Sequence, residues 1–155
     1  RGAEPHPTGP LLSLERMLYP DFAGKEVAML THQTINSAIF NAQVVTKAVL
    51  RAADQLDIPN TILAKILGVS EPTVSRMRKH GLTLSTSDKS FELAILFIRL
   101  YRSLDAIVGG DPNVARAWLR NVNTALDDSK PLDKVQTITG LVHVIHYLDS
   151  RRAVL

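Results

Sequence analysis

The chain has 155 residues, with 18 Lys+Arg against 15 Asp+Glu, 45% apolar residues and no cysteine. The missing thiol excludes disulfide scaffolds, cysteine-ligated zinc, iron–sulfur clusters and cysteine nucleophiles, and it suits a reducing compartment. A net charge of +3 is too small to announce a polyanionic partner as a total, so its distribution along the chain matters more.

No stretch reaches the roughly 18 to 20 uncharged apolar residues of a membrane span. The most apolar run, 91–108, is broken by Glu92, Arg99, Arg102 and Asp105. The start at Arg1 shows no secretory pattern, so the sequence predicts a soluble cytoplasmic protein with no membrane contact.

In chain order, residues 1–10 hold Pro5, Pro7 and Pro10 with Gly2 and Gly9, which cannot sustain a helix and predict an arm. Leu11, Leu14 and Leu18 mark a short helical piece ended by Pro20 and Gly24 and resumed over Glu26 to Met29, within an N-terminal extension of residues 1–36. From Ser37 onward Ala38, Ala42, Val45, Val49, Ala52 and Leu56 recur at helical spacing, with Ser37 or Asn36 able to cap the start and Asp57 and Pro59 ending the helix. Helical pieces over 61–67 and 71–80 come next, each stopped by a glycine, Gly68 and Gly81. A polar segment, 83–89, leads to a long helix over 90–108, closed by Gly109 and Gly110. Asp111 and Pro112 read as N-cap and first helical residue of a helix to about Asn121, followed by a loop over 127–130, a short helix over 131–136 and a last helix from Thr137 or Thr139 to about Ser150. No segment alternates with period two, so the fold class is all-α.

Residues 60–79 hold two helices joined by a short Gly-containing turn, which is the helix-turn-helix unit. Ala64 is small where the helix axes cross, Gly68 tolerates the positive φ of the turn, and Val69, Leu63, Leu67, Val74 and Met77 supply the inner faces. Ser70 caps the second helix and Pro72 lies in its first turn, where a missing N–H costs nothing. With those residues inward, Ser70, Glu71, Thr73, Ser75, Arg76 and Lys79 face outward, as a recognition helix presents its side chains to the major groove. Arg76 suits a bidentate contact to guanine, Glu71 a cytosine amine, and Ser70 or Ser75 a base edge or phosphate. Arg78, Lys79 and Lys65 read as phosphate contacts.

Other signals carry no chemistry. His143 and His146 are spaced i, i+3 with no third ligand at metal spacing, and Asp105, Asp111, Asp127 and Asp128 read as caps, loop residues or solvated charges. No catalytic residue, metal or cofactor is expected, and the chain does not read as an enzyme. The 90–108 helix is apolar nearly all round, which makes it either the central helix of the monomer or one with a flank against another chain. Trp118 reads as a core anchor of the C-terminal part.

Gly109 to Leu148 carries Gly-Gly-Asp-Pro, then Ala115-x-x-Trp118-Leu119, Asn123-x-Ala125-Leu126, Pro131-Leu132, Thr137-x-x-Gly140 and Val144 to Leu148. This stretch resembles the C-terminal toxin-binding domain of Xre/ParS-type antitoxins, and the helix-turn-helix precedes it where that family places one. Val122 stands where the family often has Pro, and 127–130 replaces its usual Gly-containing turn. The resemblance implies a helix-turn-helix domain over 37–108, a toxin-binding domain over 109–155, and a cognate RES-domain toxin that consumes NAD⁺. It further implies two jobs, masking the toxin's active site and repressing the shared operon. Ala115, Trp118, Leu119, Leu126, Leu132, Leu141, Val144 and Leu148 are needed inside that domain. Arg116, Arg120, Asn123 and a tail of Arg151, Arg152, Ala153, Val154 and Leu155 then remain as toxin-facing candidates, with the Leu155 carboxylate suited to plug a dinucleotide pocket.

Residues 37–81 carry six Lys+Arg against three acidic residues, so the whole charge excess falls on the helix-turn-helix segment. One such modest contact per subunit implies a homodimer on an inverted repeat of operator DNA. The 38–56 helix, the 90–108 helix or the N-terminal extension could join the copies. Two other readings stay open, a phage-type repressor without a toxin and a protein-binding inhibitor that does not use DNA.

Overall fold

The computed structural model describes residues 24–154. The predicted arm over 1–10, the helical piece around Leu11 to Leu18 and the terminal Leu155 lie outside the described residues. The chain divides into two compact units, Arg1–Ser37 and Ala38–Leu155. Of the first unit, the described residues 24–37 are helical.

Helix α1 spans Gly24–Gln55, which corrects the expected start at Asn36 or Ser37. No Gly or Pro occurs between Lys25 and Gln55, so nothing in this stretch breaks the helix, and Asn36 and Ser37 are exposed residues within it rather than caps. The helix ends where Asp57 takes a left-handed φ of 53° and the Ile58 amide bonds back to the Ala53 carbonyl at 2.8 Å.

Helices α2 (Asn60–Leu67) and α3 (Glu71–His80) come next, stopped by Gly68 and Gly81 at φ 66° and 65°. The segment after them is anchored through Leu84, whose amide donates to the buried Thr46 Oγ1 at 3.0 Å. That hydroxyl donates onward to the Ala42 carbonyl, so a polar group inside the core is fully used. Helix α4 (Lys89–Ile107) is the central helix, burying Ala94, Phe97, Leu100, Ser103 and Leu104, while Ile95, Arg99 and Arg102 leave one flank open.

Helix α5 (Pro112–Arg120) is capped by Asp111, whose carboxylate accepts from the Asn113 and Val114 amides. A 3-10 turn (Thr124–Leu126), the short α6 (Pro131–Lys134) and α7 (Ile138–Arg152) complete the unit. One buried core runs from Val49 through Leu63, Leu67, Val74 and Phe97 to Leu119, Leu126, Leu141 and Leu148, so the helix-turn-helix and the C-terminal helices are welded through α4. Among the described residues no named strand occurs.

Asp149 on α7 ties that helix to α4. Burial pushes its carboxyl up, but hydrogen bonds from Ser103 Oγ (2.8 Å) and Arg99, with the Arg99 charge, outweigh burial and hold it below the ordinary range. A lowered native pKa gives stability that is present at neutral pH and lost as pH falls through and below about 4. Asp149→Asn is expected to cost about 1 kcal/mol at pH 7 by thermal unfolding, with the gap to the parent closing in acid.

Candidate functional site

The α2–α3 unit is set by packing before chemistry. Leu63, Leu67 and Val74 are fully buried, Ala64 and Met77 nearly so, and Val69 packs half-buried against them. The Ser70 hydroxyl accepts from the Thr73 amide at 3.3 Å, so α3 starts at the residue that its cap dictates. Facing outward, Ser70, Thr73 and Arg76 form a polar row. Ser70 Oγ lies 2.8 Å from Thr73 Oγ1, and Arg76 donates to the same Thr73 oxygen at 3.4 Å. Ser70, Glu71, Arg76 and Lys79 are exposed and Thr73 and Ser75 half-buried, with Lys65 exposed on α2. That row is a ridge of donors on a rigid helix, the geometry suited to base edges and phosphates.

Arg78 is placed differently from the phosphate contact expected of it. It stands one turn after Val74, on the inward side of α3, where its Nε donates to Asn60 Oδ1 at 2.8 Å and its guanidinium pairs with Asp54 at 2.5 Å. With 26% of its side chain exposed, Arg78 clamps α3 to α1 and α2 and so positions the recognition helix.

The C-terminal pieces have equally concrete reasons. Thr137 caps α7 by accepting from the Gly140 amide at 3.1 Å, and a Cβ at Gly140 would stand 2.0 Å from the Lys134 carbonyl oxygen, so Thr-x-x-Gly closes the α6–α7 corner. The Asn123 side chain accepts from the Ala125 amide at 2.9 Å and shapes the 3-10 turn. Asp127 and Asp128 take φ of 55° and 51°, so two aspartates occupy left-handed backbone in place of the glycine-containing turn.

The family model for the antitoxin Xre-like helix-turn-helix domain matches residues 38–99. The one for the antitoxin Xre/MbcA/ParS C-terminal toxin-binding domain matches residues 103–153. The chain belongs to the Xre/ParS-type antitoxins. It is a toxin–antitoxin antitoxin with a DNA-binding helix-turn-helix, and both matched families are antitoxin domains rather than enzymes. A search of curated proteins found no match. No helix among the described residues is long and apolar enough to cross a membrane.

Within the antitoxin the expected toxin-facing residues separate into two groups. Arg116 donates to the Gln55 carbonyl at 2.8 Å, and Arg120 to the Leu56 and Asp57 carbonyls at 3.3 and 2.7 Å and to Asp57 Oδ2 at 3.4 Å. Both arginines therefore cap the end of α1 and brace its left-handed corner, instead of standing free for a partner. Asn123, half-buried, is spent on its turn. By contrast Arg151 and Arg152 are exposed, though they close α7 rather than forming a tail after it. Arg151 lies over the Tyr147 ring, 5.4 Å from its centroid, and Tyr147 stacks on Trp118 at 6.2 Å. Trp118 is thus half-buried in a surface stack, and Leu132 is also half-buried, where both were expected inside.

Sequence reasoning misses Lys47, Arg51, Arg99 and Arg102 as a group. Arg99 and Arg102 interrupt the most apolar run of the chain at i, i+3, which is the one signal available. Lys47 and Arg51 are separated from them by the whole helix-turn-helix, so only the fold brings them to one face.

Proposed function

We propose that the antitoxin neutralises a RES-domain toxin that consumes NAD⁺, by binding it and covering its active site, and that it represses its own operon. The observation that carries this reading is the direct succession, inside one compact unit, of the helix-turn-helix match and the toxin-binding match. Repression is steric. Two copies set their α3 helices in successive major grooves roughly 34 Å apart on an inverted repeat, Arg76 and Glu71 reading bases and Lys79 and Lys65 holding phosphates. Toxin occlusion falls to the C-terminal end of α7 and the residues just beyond it, Arg151, Arg152 and the 85%-exposed Val154. An exposed segment of two arginines followed by apolar residues suits a pocket built for an anionic dinucleotide.

The test is co-expression with the product of the adjacent reading frame, then pull-down and an NAD⁺ assay. A stable complex with suppressed NAD⁺ consumption is expected, and deletion of residues 151–155 should restore consumption. Neutralisation undiminished by that deletion would sink the occlusion role of the C-terminus. Absence of any complex would favour the phage-type repressor.

A further inference from the structure

One face of the 38–155 unit carries a long open groove with an apolar floor and a cationic rim. It consists of a depression of about 860 Å³ between α1 and α4 and an adjoining one of about 540 Å³ between α4 and α7, which share Ile98 and Arg102. The floor is Val44, Ile95, Ile98 and Tyr101, with Val44 and Ile95 48% and 47% exposed. One turn before Val44, the 65%-exposed Phe40 prolongs the apolar stripe. Lys47, Arg51, Arg102 and Arg152 form the rim, and none of them makes a salt bridge among the described residues.

The two carboxylates in the groove are already engaged. Asp54 is held by Arg78, and Asp149 by Arg99 and Ser103. Lys47, Arg51 and Arg102 therefore face the opening with no carboxylate of the groove left for them, and Arg152 acts on Asp149 through its charge alone. A second copy would bring the same four cations and be repelled. Nucleic acid would satisfy the rim but leave the apolar floor wet and set phosphates against Asp54 and Asp149. The occupant that satisfies floor and rim together is a protein segment with an apolar face flanked by Asp or Glu.

We propose that this groove is the main docking surface for the toxin and takes an acidic amphipathic helix of it. The proposal rests on the reading that the antitoxin binds its toxin directly. It stems from placement: Ser103, Asp149 and Arg152 lie within the stretch matched to the toxin-binding domain, and α4 carries the groove from there toward α1. The C-terminal end of α7 would then face the active site of a toxin already held along α4.

The test compares the full-length antitoxin with an Arg51→Glu, Arg102→Glu variant and with a milder Val44→Ser, Ile95→Ser variant, all at exposed or half-exposed side chains. Affinity for the co-expressed toxin is measured by calorimetry at two salt concentrations, operator affinity by fluorescence anisotropy, and mass by light scattering. Toxin affinity should fall on the order of 100-fold in the charge-reversed variant and about 10-fold in the serine variant, with operator affinity within about threefold of the parent. The parent's toxin affinity should weaken more with salt than the charge-reversed variant's. Parent-like toxin binding by both variants overturns the proposal and leaves the antitoxin reading standing. So does operator loss, or a halved mass, with toxin affinity intact, which would assign the face to DNA or to a second copy. Failure of the parent itself to bind the toxin overturns the antitoxin reading and this proposal with it.

Discussion

Replacing Arg76 and Lys79 together with alanine is expected to weaken operator binding roughly 100- to 1,000-fold while leaving fold stability and toxin neutralisation unchanged. Arg76 stands at the end of the Ser70–Thr73 row, exposed and oriented by Thr73, and a bidentate contact to a base is worth about 1–3 kcal/mol per site. Lys79 is exposed one turn nearer the helix end, and its loss removes a phosphate contact, which should lower the salt slope of binding by about one per subunit. Neither side chain enters the core, so unfolding should shift by no more than about 0.5 kcal/mol. Anisotropy titrations at two salt concentrations read both effects. Parent-like binding by the double variant would remove α3 from the role of reading helix.

Gly140→Ala is expected to give the largest loss of stability of any single methyl added to the C-terminal half. Gly140 has ordinary helical backbone, and the obstacle is space. A Cβ there would sit 2.0 Å from the Lys134 carbonyl oxygen and 2.7 Å from its carbon, backbone atoms that cannot swing aside. The α6–α7 corner must open, taking with it the Thr137 cap and the packing of buried Pro131 and Val135. The expected cost is about 3 kcal/mol or more, against about 1 kcal/mol for Thr137→Ala, which removes the cap alone. With a shared core the loss spreads to both functions, and the melting temperature should fall by roughly 10 °C. A Gly140→Ala protein no less stable than Thr137→Ala would show that the corner has slack that this geometry does not contain.

The contrast between these residues and the arginines explains what is legible in the chain. The limits of α3 come from local chemistry, a serine cap, a proline in the first turn and a left-handed glycine, and the structure places them at the expected residues. Motif logic extends as far as a cap reaches, three or four residues. Arg78, Arg116 and Arg120 obey contacts 18 to 64 residues away in sequence, with Asn60, Asp54 and the carbonyls at the end of α1, which no periodicity discloses. An arginine on a helix reads as solvated charge until the fold supplies an acceptor. The same distance hides the cationic groove, whose halves come from α1 and α4. The start of α1 departs from expectation for the opposite reason. Ser37 and Asn36 have cap chemistry, but without a breaker on the preceding side a helix simply continues through them.

The proposed function and docking groove give one welded unit two separate surfaces, α3 for operator DNA and the α4–α7 side for the toxin. Light scattering on a mixture of antitoxin, toxin and a short operator duplex tests that separation. A ternary species is expected, with a mass that includes all three components, retaining operator affinity and silent toward NAD⁺. Two mutually exclusive binary complexes, with toxin stripping the antitoxin from DNA at stoichiometric amounts, would show that the two surfaces are not independent.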